Sequence, residues 1–190
     1  MLALWITLGV IFGLIIICVI AVIGIYNSLI RLRNQTEEGF STMDVYMKKR
    51  YDLLPNYIET VKGYAKHEQE TLTKVIAARN NAMNSTSVED KVKSEAALSN
   101  MLKQLAVVVE QYPQLKANEN FIGLQHQLNE LEVDIANARK YYNATVKSFN
   151  NRVEVFPSNI IANIFKFTKK VFFELDSAEE RKVPKVDFGK

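Results

Sequence analysis

Few residues in this chain have the type and spacing to do chemistry. His67 and Glu70 stand three positions apart, one turn on a helix, and His126 follows much later. Imidazole and carboxylate so spaced are the ligand types of a di-iron helical bundle, which needs two Glu-x-x-His motifs and further inward glutamates. Here the order is reversed and the motif is not repeated. The pair therefore reads as exposed polar residues, and neither a metal ligand set nor a cofactor is expected. The sequence contains no glycine-rich phosphate loop, paired-cysteine metal site or nucleophile elbow. Its one cysteine, Cys18, lies within an apolar run and excludes an internal disulfide. Arg50-Tyr51-Asp52 has two readings: a polar constellation near a membrane with Arg50 poised for anionic headgroups, or a core tyrosine between solvated flanks. The second is the plainer. Asn118 and Asn120 read as helix caps, and Tyr141-Tyr142-Asn143 as packing on a long seam.

The segment that must carry all of these is the N-terminal one. Residues 2–30 contain no Asp, Glu, Lys, Arg or His, more than the ~20 apolar residues that a helix needs to cross a bilayer. No basic residue precedes the run, it is too long for a signal-peptide core, and no small-x-small cleavage site or lipobox closes it, so a retained anchor is expected. Trp5 and Tyr26 mark its headgroup levels, placing about residues 4–26 in the membrane. Arg31 and Arg33 follow at once, then Lys48, Lys49 and Arg50. This basic flank predicts an outward N-terminus and a cytoplasmic C-terminal mass, with Arg31 and Arg33 as candidate headgroup contacts. Gly9 and Gly13 have the spacing of close-packing transmembrane helices and are candidates for anchor association.

Beyond the anchor, apolar residues recur in steps of three and four. Phe40, Met43, Met47, Tyr51, Leu54, Ile58, Val61, Ala65, Leu72 and Val75 form one stripe, which predicts a helix over about 34–80, with Pro55 kinking or breaking it. Thr86 and Glu89 have capping-box spacing and open a helix over 87–111, stopped at Tyr112-Pro113. From Asn118, Phe121, Leu124, Leu128, Leu131, Ile135, Ala138, Tyr142, Val146, Phe149, Val153 and Phe156 make a coiled-coil-like seam over 118–156. A fourth helix, 158–173, is rich in isoleucine and phenylalanine. It packs as a bundle helix, or its residues Ile160, Ile161, Ile164, Phe165, Phe172 and Phe173 form a partner or membrane surface. The expected fold is all-α: an N-terminal transmembrane helix (1–30), an antiparallel four-helix-bundle-like domain of long helices (31–175), and a charged loop or tail (176–190) whose Val186 and Phe188 are spaced so that they could dock on the bundle.

Several motifs resemble the bacterial LemA family. They include Tyr26-Asn27-Ser28-Leu29, Arg50-Tyr51-Asp52-Leu53-Leu54-Pro55-Asn56, Glu59-Thr60-Val61-Lys62-Gly63-Tyr64-Ala65, Ala78-Arg79, Leu115-Lys116-Ala117-Asn118, Tyr141-Tyr142-Asn143 and Phe188-Gly189-Lys190. The resemblance covers the whole chain and implies a single-pass bacterial membrane protein with a long-helix bundle, some of whose relatives are associated with magnetosome membranes. The chain departs from the family pattern at Gly39-Phe40, where relatives often carry Ala-Trp. It departs again at Phe165-Lys166-Phe167, where Gly-Phe is common, and so lacks the glycine that would support a tight turn near residue 166.

A net charge of +3 on 24 basic and 21 acidic residues is too balanced for nucleic-acid binding by bulk electrostatics. The composite expectation is a non-enzymatic scaffold in the bacterial inner membrane, touching lipid and self-associating. The alternatives are a membrane-anchored adaptor or regulator for a partner protein, and a metal-binding or enzymatic bundle.

Overall fold

The computed structural model describes residues 2–174. Among these are six helices and no strand: α1 (Leu2–Tyr64), α2 (Gln69–Asn84), α3 (Val88–Glu110), α4 (Pro113–Lys116), α5 (Glu119–Glu154) and α6 (Ser158–Ile164). The all-α class read from the sequence is the class observed. The charged tail and its Val186 and Phe188 lie outside the described residues.

Pro55 stays inside α1 without ending it. A proline cannot donate to the carbonyl four residues back, which leaves the Tyr51 carbonyl without its helical partner. Arg79 of α2 supplies one, its Nε donating to that oxygen at 2.6 Å.

The helix expected over 34–80 is two helices. Its apolar stripe has a gap from Ala65 to Leu72, so no burial holds the intervening turn in a helix. Gly63 further weakens the last turn of α1. Downstream, α3 is capped by Ser87, whose hydroxyl accepts the Asp90 N–H at 3.0 Å, one residue beyond the expected Thr86. Asn118 caps α5 as expected, accepting the Phe121 N–H at 2.9 Å.

The fourth helix ends at Ile164, well short of residue 173, and Lys166 is responsible. Its φ of 57° puts it in the left-handed region. The Phe167 N–H returns to the Ala162 carbonyl at 2.9 Å and the Lys166 N–H to Asn163 at 3.2 Å. This pair of bonds is a Schellman stop with lysine at the position usually given to glycine. A tight turn is therefore present near residue 166 without a glycine.

The chain divides into two compact units. The first comprises residues 2–46 and 134–172. Its core is Leu29, Phe149, Ile161 and Ala162, with Ile25, Tyr26, Leu32, Val153 and Phe167 packed around it. A Cβ on Gly39 would lie 3.3 Å from the Tyr142 Cα and from the Tyr141 ring. Glycine thus admits a close approach of α1 to α5, and Phe40 fills the neighbouring space edge-on to Tyr142 at 5.7 Å. After α6 the chain runs back extended along α5. The Asn150 side-chain amide exchanges two bonds with the Lys170 backbone, at 2.9 and 2.8 Å, and the Tyr142 hydroxyl donates to the Val171 carbonyl at 2.8 Å.

The second unit comprises residues 47–133 together with Phe173 and Glu174. Met47, Leu54, Ile58 and Val61 of α1 are buried here, with Leu72 and Val75 of α2, Leu98, Leu105 and Val109 of α3, and Phe121 and Leu128 of α5. Each such side chain contributes about 1.5–3 kcal/mol by leaving water.

Candidate functional site

The core of the second unit holds a charged cluster. Arg50 continues the register Met43, Met47, Arg50, Leu54 on the apolar face of α1, and the same spacing puts Glu95 between Lys91 and Leu98 on α3. Helical periodicity therefore carries both inward. The Arg50 side chain is 1% exposed and that of Glu95 3%. One terminal nitrogen of Arg50 bonds Glu95, and the other donates to Glu132 of α5 at 2.6 Å. Glu132 is 43% exposed. The Tyr51 hydroxyl completes the group by donating to the second oxygen of Glu95. Burial by itself would lower the Arg50 pKa, but the charges of Glu95 and Glu132 outweigh it, and the guanidinium is held above its ordinary value.

This arrangement corrects the plainer sequence reading. Tyr51 is core, but Arg50 is a buried hub and not a solvated flank, its guanidinium committed to Glu95 and Glu132. Asp52 is exposed as expected. The signal was present in the register: Arg50 and Glu132 each occupy a three-or-four-residue step between apolar neighbours, and Glu95 stands one such step before Leu98. Arg79, which answers the carbonyl freed by Pro55, had no such signal.

Next to Glu132 opens a groove of about 290 Å³ between α3 and α5, lined by residues that include Tyr57, Leu102, Leu105, Leu128 and Asn129. Tyr57 packs on Phe121 with ring centroids 5.1 Å apart, and burial pushes its phenol up to about 12. The groove is largely apolar with one carboxylate at its rim, which suits an apolar side chain or helix edge.

His67 sits exposed in the turn between α1 and α2, so it is not one helical turn from Glu70, which instead pairs with Lys74 at 2.6 Å. Lys74 also holds the Glu70 carboxyl below its usual range. His126 faces Glu130 at 3.5 Å. Among the described residues no three His, Cys, Asp or Glu side chains converge as around a metal ion.

A Cβ added at Gly9 or Gly13 would meet no other side chain or segment within 4 Å. Arg31 is exposed, whereas Arg33 is half-buried with its guanidinium 5.8 Å from the Phe167 ring centre. Ile160, Ile164, Phe165 and Phe172 are exposed; Ile161 and Phe173 are buried and drop out of any partner or membrane surface.

These features define a class: an all-α protein with, among the described residues, one helix long and apolar enough to cross a membrane and a charged cluster inside its helical core. The chain belongs to the LemA family, whose sequence model matches residues 39–188. It is 25% identical over 158 residues to Protein LemA of Metamycoplasma hominis, a match spanning 83% of this chain and 72% of that protein. It is 22% identical to Magnetosome protein MamQ 2 of Paramagnetospirillum magneticum, over 87% of this chain and 73% of the relative. With Magnetosome protein MamQ of Magnetospirillum gryphiswaldense the identity is 19%, over 78% and 64%.

Proposed function

We propose that this chain is a single-pass protein of the bacterial inner membrane, with its helical mass in the cytoplasm, acting as a non-enzymatic scaffold that self-associates. The observation that carries this reading is the bare anchor: the most apolar stretch of α1 has none of its residues buried. Lipid satisfies such a surface, since a helix bonds its own backbone and needs only an apolar surround. Gly9 and Gly13 leave a flat strip on which the anchor of a second copy would pack closely. The charged groups of the core are spent on one another, which supports a structural role. Similarity to proteins named as magnetosome proteins favours an organising role over a catalytic one.

The test is the mass of the full-length chain in nanodiscs and detergent across a range of concentrations. Dimers or larger assemblies that fall apart in a Gly9→Ile, Gly13→Ile variant are expected. A monomer at every concentration refutes self-association. One observation favours the second reading, an adaptor: the apolar groove between α3 and α5 is open to an incoming helix. On that reading, cross-linking from the groove recovers one stoichiometric partner, and Leu102→Asp abolishes the adduct.

A further inference from the structure

The apolar surface of α6 and its flanks is larger than unit packing requires. Phe156 is 79% exposed and Phe165 51%, and Ile160 and Ile164, one turn apart on α6, are exposed between them. Soluble surfaces rarely expose so many large apolar side chains within one short stretch. The opposite side of the same helix is firmly held: Ile161 and Ala162 lie in the core cluster with Leu29 and Phe149, against Ile25 and Tyr26 of α1.

That attachment fixes where the exposed face sits relative to the anchor. The Phe165 ring centre is 4.7 Å from that of Tyr26, and Phe167 is 6.0 Å from the same ring. Tyr26 is the aromatic residue at the end of the apolar run, where tyrosine prefers the headgroup level. Phe165 therefore lies at the depth of the membrane surface, beside the emerging anchor.

The charges nearby agree. Lys166 is exposed at the turn, and Arg31 is exposed on α1 one turn beyond Tyr26. Lys169 and Lys170 face Glu154 and Glu37, at 2.7 and 3.6 Å. The stretch thus joins an apolar tip to a cationic rim, the composition of a segment that lies in the interface plane.

We infer that Phe156, Ile160, Ile164 and Phe165 form a membrane-embedded foot, entering the headgroup–acyl boundary beside the anchor, with Lys166 and Arg31 meeting anionic lipid headgroups. The inference rests on the proposed span and deepens it. The occupant is the bilayer itself. A foot rigidly joined to the anchor gives the membrane two points of contact with the first unit and sets its orientation on the surface.

The test uses the full chain with Trp5→Phe, which removes its single tryptophan, reconstituted into vesicles of phosphatidylcholine and phosphatidylglycerol with brominated acyl chains. Single reporters are then placed by Phe165→Trp or Ile164→Trp in the foot, Ile20→Trp in the span and Asn137→Trp at an exposed position of α5 within the first unit. A foot seated ~5–10 Å into the boundary predicts about twofold bromine quenching for both foot reporters, strong quenching for the span reporter and none for the α5 reporter. If the span reporter is quenched while both foot reporters behave like the α5 one, the foot is wrong and the span stands. If the span reporter is itself unquenched, both fall.

Discussion

Replacing Arg79 with methionine tests how a proline is accommodated in the middle of α1. Pro55 frees the carbonyl of Tyr51, a residue 2% exposed, and Arg79 donates to it at 2.6 Å. A bond from a charged donor to a buried acceptor is worth roughly 1.5–3 kcal/mol net, and an acceptor left buried and unmet costs a comparable amount. Arg79→Met keeps most of the aliphatic stem, so its expected cost of about 2 kcal/mol reports the lost bond more than lost packing. In a Pro55→Ala background the alanine N–H reaches the same carbonyl, and Arg79→Met should cost less than about 1 kcal/mol. The double-mutant coupling is then about 1–2 kcal/mol. Guanidinium unfolding of the full chain in nanodiscs, followed by far-ultraviolet circular dichroism, measures each corner of the cycle. Equal costs in the two backgrounds would refute the reasoning and leave Arg79 a merely packed or charged neighbour.

Arg50→Met should destabilise by about 3–5 kcal/mol because it strands the buried Glu95, whereas Glu132→Gln, at a half-exposed site, should cost about 1 kcal/mol or less. Adding Glu95→Leu to Arg50→Met should recover much of the loss, measured by the same unfolding titration. Lys166→Gly should stabilise by about 1 kcal/mol, since glycine takes the left-handed conformation without the penalty that lysine bears, partly offset by its freer unfolded chain. Tyr57 is held up to about 12 when folded and ionises near 10 when unfolded. Below about pH 10 the phenol is neutral in both states and its contribution is complete; as pH rises towards 12 the unfolded chain gives up its proton first and stability falls. Tyr57→Phe should remove that part of the alkaline decline in a pH series of unfolding curves.

How much of this was legible in the sequence depended on the kind of signal. The apolar stripes are the clearest case: Met43, Met47, Leu54, Ile58, Val61 and Leu72 were placed on one face by spacing, and all are buried. Asn118 and the stop at Tyr112-Pro113 were readable because caps and prolines act through the local backbone. The turn at residues 65–68 and the end of α6 at Ile164 were not, because each is decided by what tertiary packing fails to reward or by one lysine accepting strain. Composition cannot say that a lysine will do a glycine's work. Arg50 and Glu95 were hidden by a habit of reading charge as solvent exposure, although their register placed them inside. The depth of Phe165 required Tyr26, which is remote in sequence and adjacent in space.

The cluster around Arg50 also has a bearing on how the helices find their alignment. A seam of leucines and valines is nearly indifferent to sliding by two turns, because a seven-residue shift brings apolar residues opposite apolar residues again. Moving α3 by seven places would set Val88 or Leu102 where Glu95 now stands, and moving α5 likewise would set Gln125 or Arg139 in place of Glu132. Every one of those slips leaves the buried guanidinium short of a counter-charge, or facing another cation. The salt-bridged core thus acts as a vernier on an otherwise uniform scale: greasy contacts admit several alignments, and one arginine accepts a single one of them.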